Sequence, residues 1–327
     1  MSALASAYSR LVPRTIHGIA AVLLPYTADG AIDWASFEAH VERTRSAGLD
    51  VAVNMDTGFG DLLSEREREA VLDAARRTLG SGRRFYAGAF GGAVDVVGGY
   101  HAAMRAIEAR GGVPVIVQHR AMHGLPAAEK AALYARISDG AAQAVGFELG
   151  PMFAAHGEIW DDETFARLLD RPRLVGATHP SLKRGNALRR RAARDRRRPE
   201  FRVYTGNDLA IDMVAYGSDY LLGLATFAPA AFAARDRAFA AGGLDFLARN
   251  DALQHLGNVG FRAPVPAYKH AAAMFLHLTG ALRSDAIHPR APRRPASDRI
   301  LLLDCAVRLG AVEDAEAVYK EKVAPYL

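Results

Sequence analysis

From residue 17 onward, short apolar runs alternate with stretches whose apolar residues recur at helical spacing. The runs occupy 18–24, 50–55, 85–90, 113–117, 145–149, 174–177, 201–204 and 220–224. They are apolar nearly throughout, as strands buried on both faces of a parallel sheet are. Between the first two runs, Asp33 is placed to cap a helix carrying Phe37 and Val41, which stops at Gly48. Ser64-Glu65-Arg66-Glu67 has the form of a capping box, ahead of a helix whose inward face is Val71, Leu72, Ala75 and Leu79. Further helices are expected through Met104 and Ile107, over 126–137, around Phe165, Leu168 and Leu169, and over 208–216.

Eight such runs separated by helical segments predict an α/β protein, a (β/α)8 TIM barrel. A doubly wound open sheet is the rival, but no G-x-G-x-x-G follows the first run and the count of runs exceeds what that fold needs. From Pro229 the pattern is helical only, over 230–241, 244–256, 265–279, 297–309 and 312–322. The expected organisation is an N-terminal segment 1–16, a barrel 17–242 and a C-terminal helical appendage 243–327.

Composition narrows the partners. Half of the 327 residues are hydrophobic and 24% are charged, the balance of a globular chain with a large core. Residues 1–15 hold no apolar run of signal-peptide length and no stretch approaches the ~20 apolar residues of a membrane span. The single cysteine, Cys305, cannot form an internal disulfide and falls in an apolar helical pattern. A cytoplasmic location and no membrane partner are therefore expected. The net charge of +5 rests on arginine, since only Lys130, Lys183, Lys269, Lys320 and Lys322 are lysines. Arginine concentrates in 189–191, 196–198 and 283–299 without any nucleic-acid-binding motif or interleaved aromatics, so a solvated basic face or an anion site is expected rather than nucleic-acid binding.

In a barrel, chemistry sits at the C-terminal strand ends. The polar residues there are Tyr26 and Thr27, Asp56 and Thr57, Gln118 and His119, Glu148, Thr178 and His179, and Asn207 and Asp208. Several motifs around them resemble the dihydrodipicolinate synthase and N-acetylneuraminate lyase superfamily. The run Gly18-Ile-Ala-Ala-Val-Leu-Leu-Pro-Tyr-Thr-Ala-Asp-Gly-Ala-Ile-Asp33 is similar to its opening strand and corner. Met55-Asp-Thr-Gly-Phe-Gly-Asp-Leu-Leu-Ser-Glu-Arg-Glu-Arg68 resembles its Gly-Thr-Thr-Gly-Glu loop and the helix start that follows. Tyr204-Thr-Gly-Asn-Asp208, Tyr216-Gly-Ser-Asp-Tyr-Leu-Leu-Gly223 and Pro264-Val-Pro-Ala-Tyr-Lys269 match later segments, so the resemblance spans about 17–310 in order.

The resemblance implies a TIM barrel and a site built on a sixth-strand lysine that forms an imine with a 2-oxo acid. Here that position is Thr178, inside the retained frame Val175-Gly176-Ala177 and His179-Pro180-Ser181. A hydroxyl cannot form an iminium. The first threonine of the loop becomes Asp56, Thr57 is kept, the glutamate becomes Phe59, and His119 stands nearest the tyrosine position. The expectation is a lyase-like enzyme doing non-covalent acid–base chemistry on a small carbonyl or carboxylate substrate such as a 2-oxo acid. The reaction types are aldol or retro-aldol, dehydration and cyclisation. Its catalytic set is Asp56, His119, Glu148, Thr178 and His179, and its binding set Tyr26, Thr57, Gly58, Arg120 and Asn207. The alternatives are an aldolase using a displaced Lys183 and an inactive homologue that binds a small acid. No metal is expected, for want of a close-spaced ligand pair, and no cofactor. The resemblance further implies a homodimer or homotetramer.

Overall fold

The computed structural model describes residues 13–327, so positions 1–12 of the expected N-terminal segment lie outside the described residues. Eight strands pair in parallel, each with its sequence neighbour, and β8 returns to β1 to close a barrel. They are β1 Gly18–Ala21, β2 Asp50–Val53, β3 Phe85–Ala89, β4 Gly112–Val117, β5 Ala144–Phe147, β6 Leu174–His179, β7 Arg202–Thr205 and β8 Asp219–Leu222.

The helices of the barrel are α1 Trp34–Ala47, α2 Glu65–Leu79, α3 Val96–Glu108, α4 Ala127–Ser138, α5 Asp162–Leu169, α6 Arg184–Arg197 and α7 Pro229–Ala240. Four more follow: α8 Asp245–Gly260, α9 Tyr268–Leu278, α10 Asp298–Arg308 and α11 Ala315–Lys322. The helix expected over 208–216 is only a 3-10 turn, Ile211–Val214, because its neighbours in that loop are drawn into side-chain hydrogen bonds instead. The caps follow their sequence signals. Asp33 accepts from the Ser36 amide, Ser64 and Glu67 close both halves of the capping box, and Gly48 ends α1 with a left-handed φ of 101°.

Alternation along each strand sorts side chains into two cores. Ile19, Ala21, Ala52, Met55, Val113, Val115, Val145, Tyr204 and Leu221 fill the barrel. Their neighbours Ala20, Val22, Val51, Val53 and Ile116 face the helices. Between β5 and β6 the register slips, with Ala144 opposite Leu174 but Val145 opposite Gly176. That bulge at Val175 resets the facing of everything after it. A Cβ on Gly176 would strike Tyr204 in the barrel, while Ala177 joins the outer core. Thr178 therefore shares the inward parity of Gly176, and His179 points outward with Ala177. Among the described residues no helix is long and apolar enough to cross a membrane.

Candidate active site at the barrel mouth

The 3-10 turn Asp56–Gly58 after β2 puts a carboxylate at the C-terminal end of the barrel. Both its oxygens are held by the start of α9, in the region expected to be an appendage. Lys269 Nζ donates to Asp56 Oδ1 at 2.8 Å and the Tyr268 hydroxyl donates to Oδ2 at 2.8 Å. Thr57 Oγ1 lies 2.8 Å from the same tyrosine hydroxyl, which gives a chain from Thr57 through Tyr268 to Asp56. Lys269 is only 5% exposed, so its charge meets the carboxylate with little water between them. Tyr268 stacks on Phe261 at 4.3 Å, and burial with the adjacent Asp56 keeps its hydroxyl protonated, far above the ordinary tyrosine range.

Asp208, from the loop after β7, lines the same mouth. It accepts from the Leu224 amide at 2.7 Å. Burial, with a smaller push from Asp56, raises its carboxyl from 3.8 to about 7. The glycine that ends this corner is required by close approach. A Cβ on Gly223 would lie 2.9 Å from Thr57 Oγ1 and 3.0 Å from Tyr268 Cε2. Phe147, Leu149 and Phe153 cover the remaining sides, and Phe153 meets Tyr268 edge-on at 6.2 Å. The free volume is about 40 Å³, little more than one water's share of the liquid.

Of the residues expected from sequence to be catalytic, only Asp56 reaches this mouth. Glu148 and His179 come together elsewhere, on the outward side of β5 and β6. Glu148 is 1% exposed and accepts from Arg190 at 2.6 and 3.4 Å and from the Trp160 amide at 3.0 Å. Arg190 also donates to the Trp160 carbonyl and lies 4.6 Å from the Phe165 ring centroid. His179 Nδ1 is 3.3 Å from Glu148 Oε1. This is an ion-pair cluster packed between the barrel and its helices, and outward strand parity put it there. Thr178 is fully buried, and its hydroxyl accepts from the Glu148 amide at 3.1 Å, tying β5 to β6.

His119 is half-buried on the turn after β4, its Nδ1 accepting from the Ala121 amide, and burial with Arg120 and His156 lowers its pKa. Arg120 beside it is exposed. Neither lines the mouth. Of the expected binding residues, Thr57 does line it. The Gly58 amide is committed to the Met55 carbonyl at 3.0 Å, so the turn consumes a donor that was expected to hold a carboxylate. Tyr26 is buried edge-on against Phe59 and His288. Asn207 ties its own loop to the one after β6, donating to Ser181 O and accepting from the Leu209 amide. Lys183 is exposed at the start of α6, outside the barrel wall.

Tyr268 and Lys269 lie in the C-terminal helical region, away from the strand ends where the sequence places chemistry. The available signal was a lysine inside the almost wholly apolar helix pattern Ala267 to Leu278, since a charge so placed needs a partner.

No protein-family model matches the chain, and no curated protein is similar enough in sequence to match it. Solved structures do match. Dihydrodipicolinate synthase from Thermotoga maritima superposes with a TM-score of 0.78 at 18% identity, covering 91% of this chain and 100% of the other. The chloride-inhibited dihydrodipicolinate synthase from Acinetobacter baumannii, complexed with pyruvate, gives 0.76 at 20% identity over 91% and 100%. YagE from E. coli K12, a prophage protein of the same family in complex with pyruvate, gives 0.79 at 16% over 91% and 99%. The chain therefore has the fold of the dihydrodipicolinate synthase family, closed barrel and C-terminal helices together.

Proposed function

We propose that the barrel mouth is the active site of a lyase-like enzyme that moves a proton on a small 2-oxo acid without forming an imine. The observation that carries this reading is the pair of mouth carboxylates in opposed settings. Asp56 is compensated by Lys269, whereas Asp208 is buried with no cation beside it among the described residues and has its carboxyl raised to about 7. Such a pair divides the roles of fixed charge and proton carrier. Pyruvate bound to two of the structural neighbours suggests the substrate class.

In the proposed step, ionised Asp208 takes a proton from the carbon beside the carbonyl. The C–H electron pair moves into the enolate, whose oxygen accepts from the Thr57 hydroxyl once that proton turns from Tyr268 to the substrate, while Tyr268 keeps its bond to Asp56. The Asp208 proton is then returned to carbon, or to a leaving hydroxyl if the substrate carries one. Phe153 must swing aside to make room for the substrate.

A second reading is supported by Lys269 itself, an amine already buried at the mouth, which could supply an imine from the C-terminal helices. Two measurements separate the readings. Incubation with pyruvate in D2O, followed by proton NMR, is expected to show exchange of the methyl protons that slows about 100-fold or more in Asp208→Asn. Borohydride reduction with pyruvate is expected to leave the protein mass unchanged. A reduced adduct on Lys269 would overturn the non-covalent reading, and exchange untouched by Asp208→Asn would remove Asp208 from the mechanism.

A further inference from the structure

Outside the barrel wall, between β7, the start of α6 and the 3-10 turn Ile211–Val214, lies a cavity of about 120 Å³ that the proposed mechanism does not use. His179 lines it and is 3% exposed. A carboxylate can only accept, so the contact of His179 Nδ1 with Glu148 places the ring proton on Nδ1. In the neutral ring, Nε2 then presents a lone pair. It is buried and meets no hydrogen-bonding partner among the described residues. Three other polar side chains of the wall are already engaged as acceptors or bridges. Ser181 Oγ accepts from the Lys183 amide, Thr205 Oγ1 from the Asn207 amide, and Asn207 bridges Ser181 O and the Leu209 amide. The unmet demand in this wall is for a donor opposite His179.

The opposite wall sets the charge. Ser181, Leu182, Arg184 and Ala187 bring the first turns of α6 against the cavity. That helix has fourteen residues, no side-chain N-cap, no acid in its first turn, and Lys183 at the cap position. Its amide end therefore favours an anion. Arg184 stands at the rim, held by Asp212 at 2.8 Å.

We infer that this cavity is a second ligand site, for a small hydroxycarboxylate whose hydroxyl donates to His179 Nε2 while its carboxylate faces the first turn of α6. The volume is about four times a water's share of the liquid, which suits a ligand of a few heavy atoms. Glu148 and Arg190 fix the ring, so the acceptor is preorganised. The site is separate from the barrel mouth, since its lining shares no residue with the mouth.

The test is titration of uniformly 15N-labelled protein with L-lactate, following the histidine ring nitrogens by NMR and the heat of binding by calorimetry. Lactate is expected to shift the His179 Nε2 resonance, with acetate, which lacks the hydroxyl, binding at least about tenfold more weakly. Arg184→Glu, a surface change that reverses the charge at the rim, is expected to weaken lactate at least about tenfold. Asp56→Asn at the mouth is expected to leave it unchanged. The inference fails if millimolar lactate leaves Nε2 unmoved, if acetate binds as well as lactate, or if binding survives Arg184→Glu but is lost in Asp56→Asn.

Discussion

Asp208 offers a sharp test, because its buried carboxyl makes a signed claim about stability. Its pKa is 3.8 ordinarily and about 7 in the fold. Below about pH 4 the group is protonated in both states and contributes nothing. Between about pH 4 and 7 the unfolded chain releases the proton while the folded chain keeps it, so folding becomes progressively less favourable. Above about 7 both states are ionised and the penalty is complete. At 1.36 kcal/mol per pH unit the full penalty is about 4 kcal/mol. Asp208→Asn removes the titration while its amide oxygen still accepts from the Leu224 N–H. The variant should match the wild type near pH 4 and exceed it at pH 8, by about 6 °C in melting temperature. Thermal unfolding followed by circular dichroism across that range measures the gap. Parallel melting curves for the two proteins would refute the reasoning, since they would mean that the carboxyl titrates normally in the fold.

Other expectations follow from the same contacts. Lys269→Met leaves Asp56 uncompensated at the mouth and should cost about 2–4 kcal/mol, with much of the loss recovered in the double variant Asp56→Asn, Lys269→Met; urea unfolding of all four proteins gives the coupling. Glu148→Gln strands Arg190 in the wall between barrel and helices, and urea unfolding should show a loss of about 3–5 kcal/mol. Thr178→Val removes the acceptor of the buried Glu148 amide and should cost about 1–3 kcal/mol while pyruvate methyl exchange continues. Phe153→Ala should open the mouth, and stopped-flow binding of pyruvate should then be faster than in the wild type.

The architecture was legible in the chain because barrel strands and helices announce themselves locally. Runs such as 113–117 are buried on both faces and so are continuously apolar, and the caps at Asp33 and Ser64 depend only on residues within one helical turn. The site was legible in part. Asp56, Thr57 and Asp208 were named as strand-end residues, and they do meet at the mouth. Glu148 and His179 were also strand-end residues, yet they meet each other and Arg190 behind the wall.

Parity is the reason. The one-residue slip at Val175 exchanges inward for outward along the rest of β6, and a bulge of one residue leaves no compositional trace. The partners Tyr268 and Lys269 lie more than two hundred residues beyond Asp56. By itself the sequence determined the order of elements, the closed parallel barrel they imply, and the absence of an amine at position 178, because these rest on residue identity and short-range periodicity. Only the tertiary structure decided which charges face one another, because that depends on strand register and on the docking of α9 over the mouth, both set by packing between segments far apart in the chain.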